Sequence, residues 1–224
     1  RPSWFGFDSN LRQVIGQYIP TAAGALMVCS AMPVDQVMAA MLSPGSVAAL
    51  NYSNRIIVSP ISLMTIALGT AVIPYFSKMI AANNWQDLQK TLDKYLSWVF
   101  IFTIPLSVGL IVFAEPIVRL MFERGSFLPS DTLIVATIQK FYALQIPFYL
   151  ANILLVKLIN SLNKNQILFW LSACNLILNI SLNYFFVKTI GIQGIALSTS
   201  LVYVFSFSFA FIFVRYQLNK KNLT

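Results

Sequence analysis

Hydrophobic residues in this chain fall into six long blocks, 14–42, 47–76, 95–114, 133–156, 167–187 and 192–214, separated by short polar stretches. Each block is about 20 residues or longer, the length that carries a helix across the hydrocarbon core of a bilayer. Backbone groups in lipid must be paired within the segment, so the pattern predicts six transmembrane helices. The first two blocks exceed the minimum and contain Pro20, Pro33, Pro60 and Pro74. Proline removes a backbone donor and crowds the preceding turn, so long, broken helices are expected there. Residues 77–94 mix charges with Met79, Ile80, Trp85 and Leu88 and are expected to form an interfacial helix leading into the third span. Residues 115–132 are the counterpart at the opposite face, with Ser130 or Asp131 placed to cap the fourth span. The predicted fold class is all-α: a polytopic membrane protein in which residues 1–224 form one lobe, a six-transmembrane-helix bundle.

Composition narrows the function. The chain is 58% hydrophobic and 10% charged, where a soluble domain carries about 25% charged residues, so a soluble globular protein is excluded. The net charge of +8 is distributed unevenly. Arg1, Arg12, Lys78, Lys90, Lys94, Lys157, Lys164, Arg215, Lys220 and Lys221 flank the side from which the first span starts, and Arg119, Arg124 and Lys188 flank the other. Positive flanks stay in the cytoplasm, so both termini are expected there, next to anionic lipid. This leaves no basic patch for nucleic acid to explain. Histidine is absent, and the two cysteines, Cys29 and Cys174, lie inside apolar blocks, so no Cys/His metal site can be assembled. The chain opens at Arg1, and its first block is too long for a signal-peptide core, so it is expected to be an excised part of a larger protein.

The sequence has no GxxxxGK[ST] loop to cradle ATP phosphates. Its acidic residues Asp8, Asp35, Asp87, Asp93, Glu115, Glu123 and Asp131 form no DxD pair for a metal-bound nucleotide sugar, and a membrane enzyme is disfavoured. The filter and acidic ring of a channel are also missing.

Ionisable groups at membrane depth are costly and mark function. Asp35, Arg55 and Lys140 qualify. Asp35 and Arg55 each lie ten residues from Gly45 in the first turn, hence about 15 Å below it in neighbouring helices. They could pair and lock the hairpin. Alternatively, helical spacing places Asn51, Arg55, Ser59, Ser62 and Gly69 on one face, with Tyr52 and Asn54 at its border, as a helix lining water or a polar ligand would require. A guanidinium in that stripe implies an anionic ligand such as phosphate. The fifth span carries Ser172, Asn175, Asn179 and Asn183 at spacings of three and four, and the sixth carries Ser198, Thr199 and Ser200. These oxygens suit either interhelical hydrogen bonding or a hard cation such as sodium. Lys140 is expected to snorkel along its own stem.

The run VDQVMAAMLSPGSVAALNYSNRI at 34–56, followed by ALGTAVIPYFSKM at 67–79, resembles helices seven and eight of the MurJ (MviN) lipid II flippases. FERGSF at 122–127, with Asp131 and Thr132 close behind, resembles that family's external loop, and GIQGIALSTSLVY at 191–203 is similar to the last lobe helix across the wider MOP exporter superfamily. The resemblance covers essentially the whole chain. It implies a protein of two six-helix lobes around a central cavity, of which this chain is the second and the N-terminal lobe is missing. It implies alternating-access transport of undecaprenyl-pyrophosphate-linked peptidoglycan precursor, lipid II, to the outer leaflet of the bacterial cytoplasmic membrane. Arg55 matches the family's cavity arginine, Asn54 stands where many members have Asp, and Asn51, Ser59 and Ser62 complete the expected substrate contacts. Asp35 matches an acid that forms a sodium site in some members, with Asn179, Asn183 and Thr199 as counterparts; one family carboxylate is Asn here. No organic cofactor is implied, and sodium is the expected coupling ion.

A polar groove that shields the headgroup while the tail stays in lipid needs no covalent chemistry, only two bundles rocking about a midplane site. A Wzx-like flippase for O-antigen or capsule units would use the same pyrophosphate handle. A drug exporter would place acids where this chain has Arg55. A membrane scaffold for cell-wall synthesis would need no cavity.

Overall fold

The computed structural model describes residues 9–222, without the side chains of 9–21, 71, 73 and 222. Arg1 and Asp8, and the side chains of Arg12 and Pro20, lie outside the described residues. Eight helices follow in order: α1 (Ser9–Ala40), α2 (Ser46–Ala81), α3 (Trp85–Val112), α4 (Ala114–Phe122), α5 (Pro129–Ala143), α6 (Ile146–Ser161), α7 (Asn165–Ile190) and α8 (Gln193–Asn222). Five are long and apolar enough to cross a membrane, and α5 with α6, bent by 41° at their junction, makes a sixth span.

The break falls in the fourth span and not in the first two. Pro147 has no N–H to offer the Ala143 carbonyl, and α5 ends on Ala143. Pro60 and Pro74 sit inside a continuous α2 of 36 residues, where a long ladder absorbs the loss of one rung at each. The interfacial helix expected at 77–94 is also corrected. α2 runs on to Ala81, Asn83 turns the chain with φ 53°, and α3 begins at Trp85. Asn84 N–H closes the turn on the Met79 carbonyl at 3.0 Å, while the Asn84 side chain accepts from Asp87 N–H at 3.3 Å. Leu88 is fully buried, and Met79, Ile80 and Trp85 pack on the core, so the apolar residues of this segment are the inward faces of two long helices.

Leu88, Leu92, Leu96, Val99, Thr103 and Ser107 recur every three or four residues and form the buried face of α3. α6 lies at the centre: Ile146, Leu150, Leu154, Leu155 and Leu158 are fully buried among α2, α3 and α8. Lipid is as apolar as these side chains, so close packing and hydrogen bonds hold the bundle more than water exclusion does. Gly194 illustrates this: a Cβ there would lie 2.5 Å from the Phe186 carbonyl carbon, so α7 and α8 meet at backbone contact.

The FERGSF segment fastens one end of the bundle. Phe122 and Phe127 hold Tyr52 of α2 between them at centroid distances of 4.9 and 5.5 Å. Glu123 accepts from the Thr132 hydroxyl at 2.7 Å, and Asp131 accepts from Leu128 N–H at 2.9 Å, closing the first turn of α5. At the opposite end Arg215 of α8 pairs with Asp93 of α3, and Lys221 lies over the Trp85 ring. α1 leans on α7 and α2 on α5 and α6, so the two consecutive helices splay apart. The candidate site occupies that gap.

Candidate functional site

A cavity of about 470 Å³ opens between α1, α2, α5, α6 and α8. α2 contributes Asn51, Asn54, Ser62 and Thr65; α1 contributes Asp35 and Gln36; α5, α6 and their junction contribute Tyr142, Gln145 and Tyr149, and α8 contributes Thr199 and Tyr203. Asn51, Asn54, Ser62 and Thr65 share one helical face, with Val58 and Ile61 between them. The Gln36 amide donates to the side-chain Oδ1 of Asn51 at 3.4 Å across the gap. Asn54 therefore sits within the stripe and not at its border, and Tyr52 points away into the aromatic clasp. Arg55 and Ser59 are exposed on the adjoining flank of α2, and the Ser59 hydroxyl donates back to the Arg55 carbonyl at 2.9 Å.

Asp35 does not pair with Arg55. The ion pairs among the described residues are Arg119 with Glu115 and Glu123, and Arg215 with Asp93. Asp35 is 7% exposed at the wall of the cavity. Asn183 donates to its Oδ1 at 2.6 Å, and the Thr199 hydroxyl lies 3.2 Å from its Oδ2 and 3.0 Å from the Ile195 carbonyl. Asn179 accepts from the same Asn183 amide at 3.3 Å. The four residues expected to act together thus converge from three helices. The Asn183 Oδ1 is buried and without a partner among the described residues, an orphaned acceptor beside a buried carboxylate. Among the described residues no three His, Cys, Asp or Glu side chains converge, so the donor set is one carboxylate with neutral oxygens. That chemistry fits a hard monovalent cation and not a transition metal.

The rest of the α7 stripe has other partners. Asn175 and, from α6, Asn152 each donate to Ser206 of α8 at 3.1 Å, joining three helices. Ser172 donates back to the Leu168 carbonyl and, on α8, Ser198 to that of Gly194, whereas Ser200 donates across to the Phe141 carbonyl of α5. Lys140 is exposed, in keeping with a snorkelled side chain. Sequence reasoning missed Tyr142, Gln145 and Tyr149. Their spacing of three and four in a single block was a signal, obscured because tyrosine counts as apolar in a span.

A sequence profile for the lipid II flippase MurJ matches residues 1–223. The chain belongs to the MurJ lipid II flippase family. A probable lipid II flippase MurJ of Helicobacter pylori is 32% identical over 196 residues, 86% of this chain and 42% of that protein. The corresponding protein of Vibrio cholerae is 29% identical over 210 residues, 90% of this chain and 38% of that one. A solved lipid II flippase MurJ in an inward closed conformation superposes on all of this chain with a TM-score of 0.81 at 25% identity, using 48% of its own length. A MATE transporter in a straight conformation gives a TM-score of 0.76 at 15% identity, which shows a shared fold alone. The chain spans less than half the length of these MurJ relatives. It is a multi-pass membrane protein of a transporter family.

Proposed function

We propose that this chain forms one six-span half of a flippase that moves lipid II across the bacterial cytoplasmic membrane by alternating access, without covalent chemistry. The observation that carries the reading is a polar cavity, walled by Asn51, Asn54 and Ser62, inside a bundle of the MurJ family. A pyrophosphate-linked glycan is too polar for the bilayer core, and a groove of amides and hydroxyls replaces its water while the polyprenyl tail remains in lipid. Arg55, exposed beside that groove, is available to an anionic headgroup held between this half and a second one. Asp35, Asn179, Asn183 and Thr199 would hold sodium as the coupling ion, which supplies a bound positive charge whose affinity can differ between the two access states. Expressed with the half that its relatives carry and this chain does not span, the protein should restore growth of a cell depleted of its lipid II flippase and leave O-antigen export unaffected. Rescue of O-antigen export alone would overturn the choice of substrate.

The basic flanks favour cytoplasmic termini. A single cysteine at Ser126, with Cys29 and Cys174 replaced, should react with an impermeant maleimide added outside the cell, and a cysteine at exposed Gln86 should react only after permeabilisation. The reverse pattern would invert the orientation.

A further inference from the structure

The polar face of α2 continues past the cavity. Gly69 lies 18 residues beyond Asn51, about five full turns, and so falls on the same face as Asn51 and Ser62. The nearest atom to the position of a Cβ at Gly69 is Lys157 Nζ of α6, at 3.5 Å. Lys157 is half-buried, and its amine makes no ion pair or hydrogen bond among the described residues. One turn before Gly69, Thr65 lines the cavity, and its hydroxyl is buried with no partner among the described residues. Helical hydroxyls usually bond back to the carbonyl four residues earlier, as Ser59 and Thr70 do on this helix. Thr65 does not, so its proton remains available to something in the groove.

We propose that Lys157, Thr65 and the bare backbone at Gly69 form a second contact for a lipid-borne phosphate, at the far end of the polar face from Asn51. The inference rests on the flippase reading and extends it: Arg55 is 14 residues from Gly69, about 21 Å along the same helix, so a headgroup moving along this face meets Lys157 at one end and passes Arg55 on the adjoining flank toward the other. A lysine suits the entry position. Its ammonium is a point charge that attracts phosphate without the bidentate geometry of a guanidinium, and it releases the group more readily. A snorkelled lysine would extend toward water; this one lies against α2 where glycine leaves room.

The test uses the complete flippase, with Lys157→Gln, Lys157→Arg and Gly69→Leu, the last placing a side chain where the amine lies. Undecaprenyl pyrophosphate and phosphatidylglycerol serve as probes in separate binding measurements, and lipid II transport is followed in vesicles. Lys157→Gln and Gly69→Leu should each weaken undecaprenyl pyrophosphate binding about tenfold, the loss of one ionic contact. They should raise the half-saturating lipid II concentration while leaving the maximal rate within about twofold, and Lys157→Arg should recover most of the loss. A loss confined to the pyrophosphate lipid places the substrate at Lys157, and an equal loss for phosphatidylglycerol places a bulk phospholipid phosphate there; both support the anion site. Unchanged binding of both probes in folded Lys157→Gln and Gly69→Leu proteins would overturn it while Arg55-dependent transport stood. A wild-type protein that neither bound nor moved lipid II would overturn the flippase reading itself.

Discussion

Replacing Arg55 with alanine is expected to lower lipid II transport by about 100-fold or more, since truncating one partner of a desolvated charge pair costs ~2–5 kcal/mol. The same change should leave the protein folded. The Arg55 side chain is exposed, Asp35 is bonded to Asn183 and Thr199, and no carboxylate is stranded when the guanidinium goes. The melting temperature should therefore match wild type while transport in vesicles and complementation both fail. Arg55→Lys should keep part of the rate, because an ammonium restores charge but not the planar pair of donors that matches a pyrophosphate oxygen edge. Full complementation by Arg55→Ala would remove the anion from this face of α2.

The spans were legible because period and length both survive in lipid: six apolar blocks return as five long helices and one bent pair. The location of breaks was not legible from proline alone. Pro60 and Pro147 have the same local chemistry, yet only Pro147 coincides with a helix end, after Ala143 and beside the buried Gln145. Tertiary packing decides which missing rung becomes a bend. The segment 77–94 misled for a related reason. Its mixture of charge and hydrophobicity fits a surface-lying helix equally well as two helix ends joined at Asn83, and Asn83 in the left-handed region was the feature that settled it.

In the candidate site, the residues held by strong polar preferences were legible and those set by helix rotation were not. Asp35 is a carboxylate in a membrane span, spacing offered it the polar stripes at 172–183 and 198–200, and the family resemblance picked out Asn179, Asn183 and Thr199 among them; the structure brings all four together. The α2 stripe was displaced by part of a turn. Asn54 faces the cavity and Ser59 does not, because the contacts of α2 with α5 and α6 fix its rotation through Ile57 and Ile61, which are buried, and through Ser53, whose hydroxyl reaches the Val135 carbonyl at 2.9 Å. Polar spacing on a single helix defines a face to within one residue, and a neighbouring helix is needed to place its centre.

Asp35 carries the second large expected effect. Asp35→Ala should destabilise the protein by about 1–3 kcal/mol, because it leaves one Asn183 amide N–H without an acceptor in a buried site, while the Thr199 hydroxyl keeps the Ile195 carbonyl. Adding Arg55→Ala should not restore that loss. A buried ion pair would show such recovery, whereas two residues without a shared contact should combine additively. Asp35→Asn isolates the cation role, since the amide keeps the volume and removes the charge. Wild type should melt at a higher temperature in sodium than in potassium, and Asp35→Asn should lose the difference, because an ion stabilises only through its preference for the folded site. An equal sodium response in both proteins would take Asp35 out of any cation site. The chain's own oxygens set the expected size of the response. A bound sodium would face one formal charge, that of Asp35, with the Asn179 and Asn183 amides and Thr199 as neutral donors. Adding a second charge with Asn183→Asp should then enlarge the sodium-dependent shift, and it should lower stability without sodium, where two buried carboxylates would repel.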